Sequence, residues 1–170
     1  NGGESAQVNI ECTRESSGII PDMIHYNNSG YESFKIYEKI KEYIEKGHSY
    51  KDICVLARTN FLLYKLEELL TRYNIPHRVI DKKKNKVTHN EVFLSTIHKS
   101  KGLEWNIVFL IGCHDSYLPY MKSEEELKEE RRLFYVATTR AKDYLHYSVF
   151  PIFKKTYYSR FISELEPGSC

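Results

Sequence analysis

The sequence predicts an α/β domain, a parallel sheet with helices on both faces. Strand-like and helix-like stretches alternate along the chain. Such alternation joins parallel strands through helical crossovers. The central strand-like runs are also almost continuously apolar, as strands covered on both sides must be. At 170 residues the chain suits one domain large enough to bury such a sheet.

Residues 1–20 are rich in Gly, Ser and Glu without a sustained period and read as a loosely ordered lead-in. PDMIHYN (21–27) has short-strand character. In YESFKIYEKIKEYIEKG (31–47), Phe34, Tyr37, Ile40 and Ile44 recur at helical intervals and Gly47 offers a stop. The unit repeats as strand DICVLAR (52–58) and helix FLLYKLEELLTRY (61–73), and PHRVI (76–80) is a third strand candidate. DKKKNK (81–86) reads either as a solvated turn or as a phosphate-contacting patch. EVFLSTIH (91–98), NIVFLIG (106–112) and DYLHYSVF (143–150) are strand-like. Between the last two, Ser123 and Glu126 form a capping-box pair, and Glu124, Glu125 and Glu126 suit a helix start. Leu127, Phe134, Ala137 and Ala141 mark the buried stripe expected of that helix.

Hydrophobic residues at 41% against 28% charged exclude wholesale disorder. A net charge of +2 is too small to diagnose a nucleic-acid partner, so any basic surface must be a local patch. Cys12, Cys54, Cys113 and Cys170 form no C-x-x-C pair, which indicates reduced thiols rather than a zinc ribbon or disulfide framework; no metal site is expected. No apolar run approaches the ~20 residues that span a bilayer, and no signal pattern is present, so the expectation is an intracellular protein without a membrane partner. The 14 tyrosines are core and boundary residues or base-stacking platforms.

Two stretches carry chemistry. In STIHKSKGLEW (95–105), a strand ends in Thr96, Ile97 and His98, and a polar turn follows with Lys99, Ser100, Lys101 and Gly102 before Glu104. Such a cluster at a strand's C-terminal end can bind an anion, although a solvated loop has the same composition. In EERRLFYVATTRAK (129–142), Arg131 and Arg132 can pair with Glu129 or Glu130, or serve a ligand. Arg140, at the far end of the helix, can complement the dipole or present its rigid fork to phosphate. No glycine in the chain is followed by Lys and then Ser or Thr, so the chain lacks a loop to cradle the phosphates of a nucleotide. No acidic residue ends an apolar strand in the way that would hold magnesium beside such a loop. Alone, the chain is not expected to hydrolyse ATP.

FLSTIHKSKGLEWNIVFLIG resembles motif V, and EERRLFYVATTRAKDYL motif VI, of UvrD-like (superfamily-one, UvrD/Rep/PcrA) DNA helicases. The Leu118-Pro119 step between them is kept as well. ICVLARTN with its following helix and YNIPHRV resembles an earlier strand of that family, and SRFISELEP (159–167) resembles its closing segment. The resemblance spans residues 50–167 and implies a RecA-like (P-loop NTPase-type), three-layer domain over 21–167 that lacks its own phosphate loop. In that family two RecA-like domains clasp ATP and Mg2+ between them, and single-stranded DNA runs across both. The first domain supplies the phosphate loop and magnesium site; this chain resembles the second.

Residue by residue, the resemblance makes Arg140 the arginine finger on the γ-phosphate, a group whose removal costs about 10³ to 10⁵ in rate. It places Glu104 near the ribose and Gly102 where backbone comes close to the nucleotide. The resemblance also places Thr96 and His98, together with Arg58 and Asn60, toward the DNA. The implied partners are single-stranded DNA and an N-terminal RecA-like domain of the same protein. The implied function is the C-terminal motor domain of an ATP-dependent 3′-to-5′ helicase or translocase; the alternative is a catalytically inactive helicase-like docking or DNA-binding module. Two departures stand out. Only about ten residues, DKKKNKVTHN (81–90), replace the large accessory domain usually inserted before motif V. The upstream Asn-Tyr-Arg-Ser motif is not matched by ECTRESSG, which points to an N-terminal truncation.

Overall fold

In the computed structural model the described residues are 19–27, 29–81, 89–120, 123–149, 151–152, 155–156 and 159–165. The lead-in up to residue 18, most of the DKKKNK run and its junction, and the chain after 165 lie outside them. Eight strands and four α-helices are described: β1 (Asp22–His25), α1 (Ser29–Glu45), β2 (Ile53–Ala57), α2 (Asn60–Arg72), β3 (His77–Val79), β4 (Val92–Thr96), β5 (Trp105–Leu110), α3 (Glu124–Thr138), β6 (Ala141–Val149), β7 (Pro151–Ile152), β8 (Lys155–Thr156) and α4 (Arg160–Glu164). The first six strands form one sheet in the order β1-β6-β5-β2-β4-β3, and every pairing in it is parallel. β7 and β8 pair separately and antiparallel.

Alternate residues of the central strands feed two cores, which is why those strands read as unbroken apolar runs. Ile53, Val55, Ala57, Ile107 and Phe109 pack with Ile36, Ile40, Leu63, Leu66 and Leu70 of α1 and α2. Cys54, Leu56, Val108 and Leu110 pack on the other face with Leu133, Phe134 and Ala137 of α3 and with Phe161 of α4. All five residues of β2 are inaccessible to solvent. Cys54 and Cys113 are free, buried thiols, and burial pushes both well above the ordinary cysteine range.

Two expectations about buried faces are corrected. Ile36, Ile40 and Tyr43 form the inner face of α1, whereas Phe34 is exposed and Tyr37 is only partly buried. The predicted stripe lies to one side because Tyr37 stacks on Tyr73 beyond the end of α2. Ala141 does not belong to α3; it opens β6, paired with Trp105. Thr138 and Thr139 close the helix by donating their hydroxyls to the carbonyls of Tyr135 and Val136, and the chain then enters the sheet. At the other end, the Ser123 side chain accepts from Glu126 N at 3.2 Å, the cap expected from sequence.

Two polar clusters are buried among these layers. The Glu32 carboxylate, in the first turn of α1, accepts from Gly112 N at 2.9 Å and from Ser148 Oγ at 2.5 Å. It thereby ties α1 to the ends of β5 and β6. Gly112 has φ +67°, and an added Cβ would stand 2.8 Å from Leu62 Cδ1, so α2 also closes tightly on this corner. Also between α1 and β6, Tyr43 Oη lies 2.6 Å from His146 Nε2, and His146 Nδ1 lies 3.2 Å from Asp22.

Candidate functional site

The residues singled out in the sequence fall at two opposite edges of the sheet. Residues 97–104 leave the C-terminal end of β4 and return to the start of β5, so the stretch read as one anion-binding turn crosses the domain. Ligands of open α/β sheets are expected at the C-terminal strand ends. Arg58 and Asn60 follow β2 there, and Thr96 and His98 end β4. Gly102, Glu104 and Arg140 instead gather where β5 and β6 begin.

At the second edge the backbones interlock. Trp105 N donates to Arg140 O at 2.9 Å, while Arg140 Nη1 donates back to Leu103 O at 3.0 Å. Arg140 Nε donates to Val136 O at 3.1 Å and Nη2 to Thr139 Oγ1 at 3.0 Å. The guanidinium is therefore held by three bonds, one to the 102–104 turn and two to the C-terminal end of α3 and its cap. Glu104 is exposed beside it with no hydrogen-bond partner among the described residues. Gly102 has φ +83° with open space where a Cβ would stand, so its backbone conformation calls for glycine. A cationic fork beside an exposed carboxylate can donate to an anion on one side and accept from a hydroxyl on the other. No group of three or more metal-ligating side chains occurs among the described residues.

At the first edge, β2 and β4 run in register with Ala57 opposite Thr96, and Ile97 N bonds Ala57 O at 3.0 Å. This brings Arg58 and His98 side by side. His98 is exposed, yet desolvation first, and then the positive charges of Arg58 and Lys101, lower its pKa from the ordinary 6.5. Asn60 begins α2 and shares a shallow groove with Lys99. Thr96 is buried, so its side chain is the least accessible of the four. Arg58 is not a free cation: its Nε and Nη2 grip the buried Glu130 carboxylate at 2.7 to 3.0 Å.

Sequence reading missed that pair, since 72 residues separate its members. Both arginines of α3 are also engaged. Arg131 pairs with Glu164 at 2.8 Å and Arg132 with Glu129 at 3.6 Å. Leu118 and Pro119 are buried between the two stretches and joined by a cis peptide bond.

Residues 4–85 and 81–151 match the UvrD-like helicase C-terminal domain family. Over 102 residues, 59% of this chain and 15% of the relative, the sequence is 38% identical to the ATP-dependent DNA helicase Rep of Buchnera aphidicola subsp. Acyrthosiphon pisum. Over 64 residues, 35% of this chain and 9% of the relative, it is 48% identical to the ATP-dependent DNA helicase PcrA of Staphylococcus epidermidis. The chain thus spans no more than 15% of the length of these curated relatives. Among solved structures, the C-terminal domain of a possible DNA helicase from Lactobacillus plantarum superposes with a TM-score of 0.65 at 14% identity, covering 86% of this chain and 80% of that one. That likeness is one of fold.

Proposed function

The chain belongs to the UvrD-like helicase C-terminal domain family, and on that premise we propose that it is the second motor domain of an ATP-dependent 3′-to-5′ DNA helicase or translocase. In this reading Arg140, Gly102 and Glu104 complete a nucleotide site whose phosphate loop and magnesium ligands belong to an N-terminal RecA-like domain. Arg58, Asn60, Thr96 and His98 contribute to the single-stranded DNA track at the opposite sheet edge. Bound ATP with Mg2+ supplies the phosphoryl transfer, and this chain contributes charge and orientation. The Arg140 guanidinium stabilises negative charge spreading over the transferring phosphoryl group, and Glu104 accepts from a ribose hydroxyl. Closure of the two domains and their reopening after hydrolysis then turn alternating grip on the strand into directed movement.

The observation that carries this reading is the Arg140 fork, fixed 3.0 Å from Leu103 O beside an exposed Glu104, in a chain with no phosphate loop of its own. The test is DNA-stimulated ATPase of the protein with its N-terminal domain present. Arg140→Ala is expected to lower turnover by about 10³-fold or more, and near-normal turnover removes the finger assignment. The isolated chain is expected to hydrolyse no ATP, and measurable hydrolysis by it overturns the half-site reading.

A further inference from the structure

Glu130 is the most deeply buried charged side chain among the described residues, at 3% exposure. It faces the edge assigned above to DNA. Its carboxylate accepts from Arg58 Nε at 2.9 and 3.0 Å and from Arg58 Nη2 at 2.7 Å, and from Tyr120 N at 2.9 Å. A buried carboxylate that only braced its own helix would gain nothing from gripping the end of β2 and the loop at Tyr120 together. The grip has a directional result. Two nitrogens of the Arg58 fork are committed inward, and Nη1 takes no partner among the described residues. Arg58 keeps 19% of its side-chain exposure, with His98 and Lys101 close enough to share its field. A guanidinium on a long flexible stem is thus fixed with Nη1 outside the Glu130 grip, in a positive cluster at strand ends.

Glu130 also sits on the helix that leads to Arg140. α3 returns from the C-terminal edge of the sheet to its N-terminal edge, and the eight residues from Glu130 to its end at Thr138 rise about 12 Å. One helix therefore carries the brace of Arg58 at its middle and leads, two residues past its last turn, to the nucleotide-side arginine. Resting on the helicase reading above, we propose that Glu130 is a positioning residue that orients Arg58 for a phosphate of single-stranded DNA and ties that contact to the helix that leads to Arg140.

The experiment measures binding of an oligothymidylate to the full-length protein as a function of salt. Each phosphate contact on a single strand contributes about 0.7 to the slope of log affinity against log salt. Arg58→Gln is expected to flatten that slope by about one contact. Glu130→Gln is expected to do the same although it removes a negative charge, which by simple electrostatics would strengthen binding. The double variant is expected to flatten the slope no further than either single change. Because an unpaired buried arginine can unfold the domain, Glu130→Asp is measured alongside; it keeps the charge and withdraws it by one methylene. An unchanged slope in whichever Glu130 variant retains wild-type thermal unfolding overturns the proposal, as does additivity in the double variant. Absence of salt-dependent binding by the wild-type protein would instead strike the helicase reading itself.

Discussion

Replacing Glu32 probes how a carboxylate sealed inside the domain holds one edge of the sheet together. Glu32→Ala leaves the Gly112 N–H and the Ser148 hydroxyl, which now donate at 2.9 and 2.5 Å, buried without an acceptor. At about 1–3 kcal/mol for each orphaned donor, the expected loss is about 2–6 kcal/mol. Glu32→Gln keeps an acceptor oxygen and separates the charge from the hydrogen bonds. Burial pushes the Glu32 carboxyl above its ordinary 4.5, outweighing the pull of Ser148, Gly112 and Tyr26 in the other direction. The folded protein therefore holds a proton that the unfolded chain releases near 4.5. That contribution to stability is complete below the unfolded value and is lost as pH rises through the folded one. The glutamine variant escapes this loss, so its stability relative to wild type should climb as pH rises above the ordinary 4.5. Urea unfolding followed by circular dichroism across that range measures both effects. The reasoning fails if Glu32→Ala unfolds within about 1 kcal/mol of wild type, or if the advantage of Glu32→Gln grows toward acid.

At the other buried cluster, Tyr43→Phe removes the hydroxyl 2.6 Å from His146 Nε2 and should cost about 1–2 kcal/mol in the same assay. Burial lowers the His146 pKa below 6.5, against the opposing pull of Asp22. Folded-state stability should therefore fall as pH drops through the window beneath 6.5, the reverse of the Glu32 trend, and His146→Phe should flatten that acid limb. Arg131→Ala should change stability by less than about 1 kcal/mol, because both it and Glu164 are about a third exposed or more; a loss several times larger would mean that the pair anchors α4.

Much of the layer architecture was legible because local pattern and burial agree. The run at 52–58 reads as a doubly covered strand for the reason seen in the structure, where β2 lies between β5 and β4 with helices on both faces. Ala141 misled because burial four residues after Ala137 looks helical, whereas two threonines end the helix between them and the burial belongs to a strand. The sides of the candidate site were not legible either. Thr96 and Glu104 are eight positions apart and read as one turn, yet the crossover carries them to opposite sheet edges. Glu130 read as a partner for Arg131 or Arg132, and Glu32 drew no reading; the donors that hold them include Gly112, Ser148 and Arg58, 72 to 116 residues away. Periodicity reports which face is buried and carries no information about partners so distant in sequence.

Arg140 spends three of its five N–H donors on Val136, Leu103 and Thr139. Fixing a free arginine side chain forfeits about 2 kcal/mol of rotamer entropy. Here most of that loss is incurred when the domain folds, before any ligand arrives. An anion reaching this edge meets a side chain already immobilised, with the remaining donors at a set angle. Association can then be fast and selective for geometry without the delay of a conformational search.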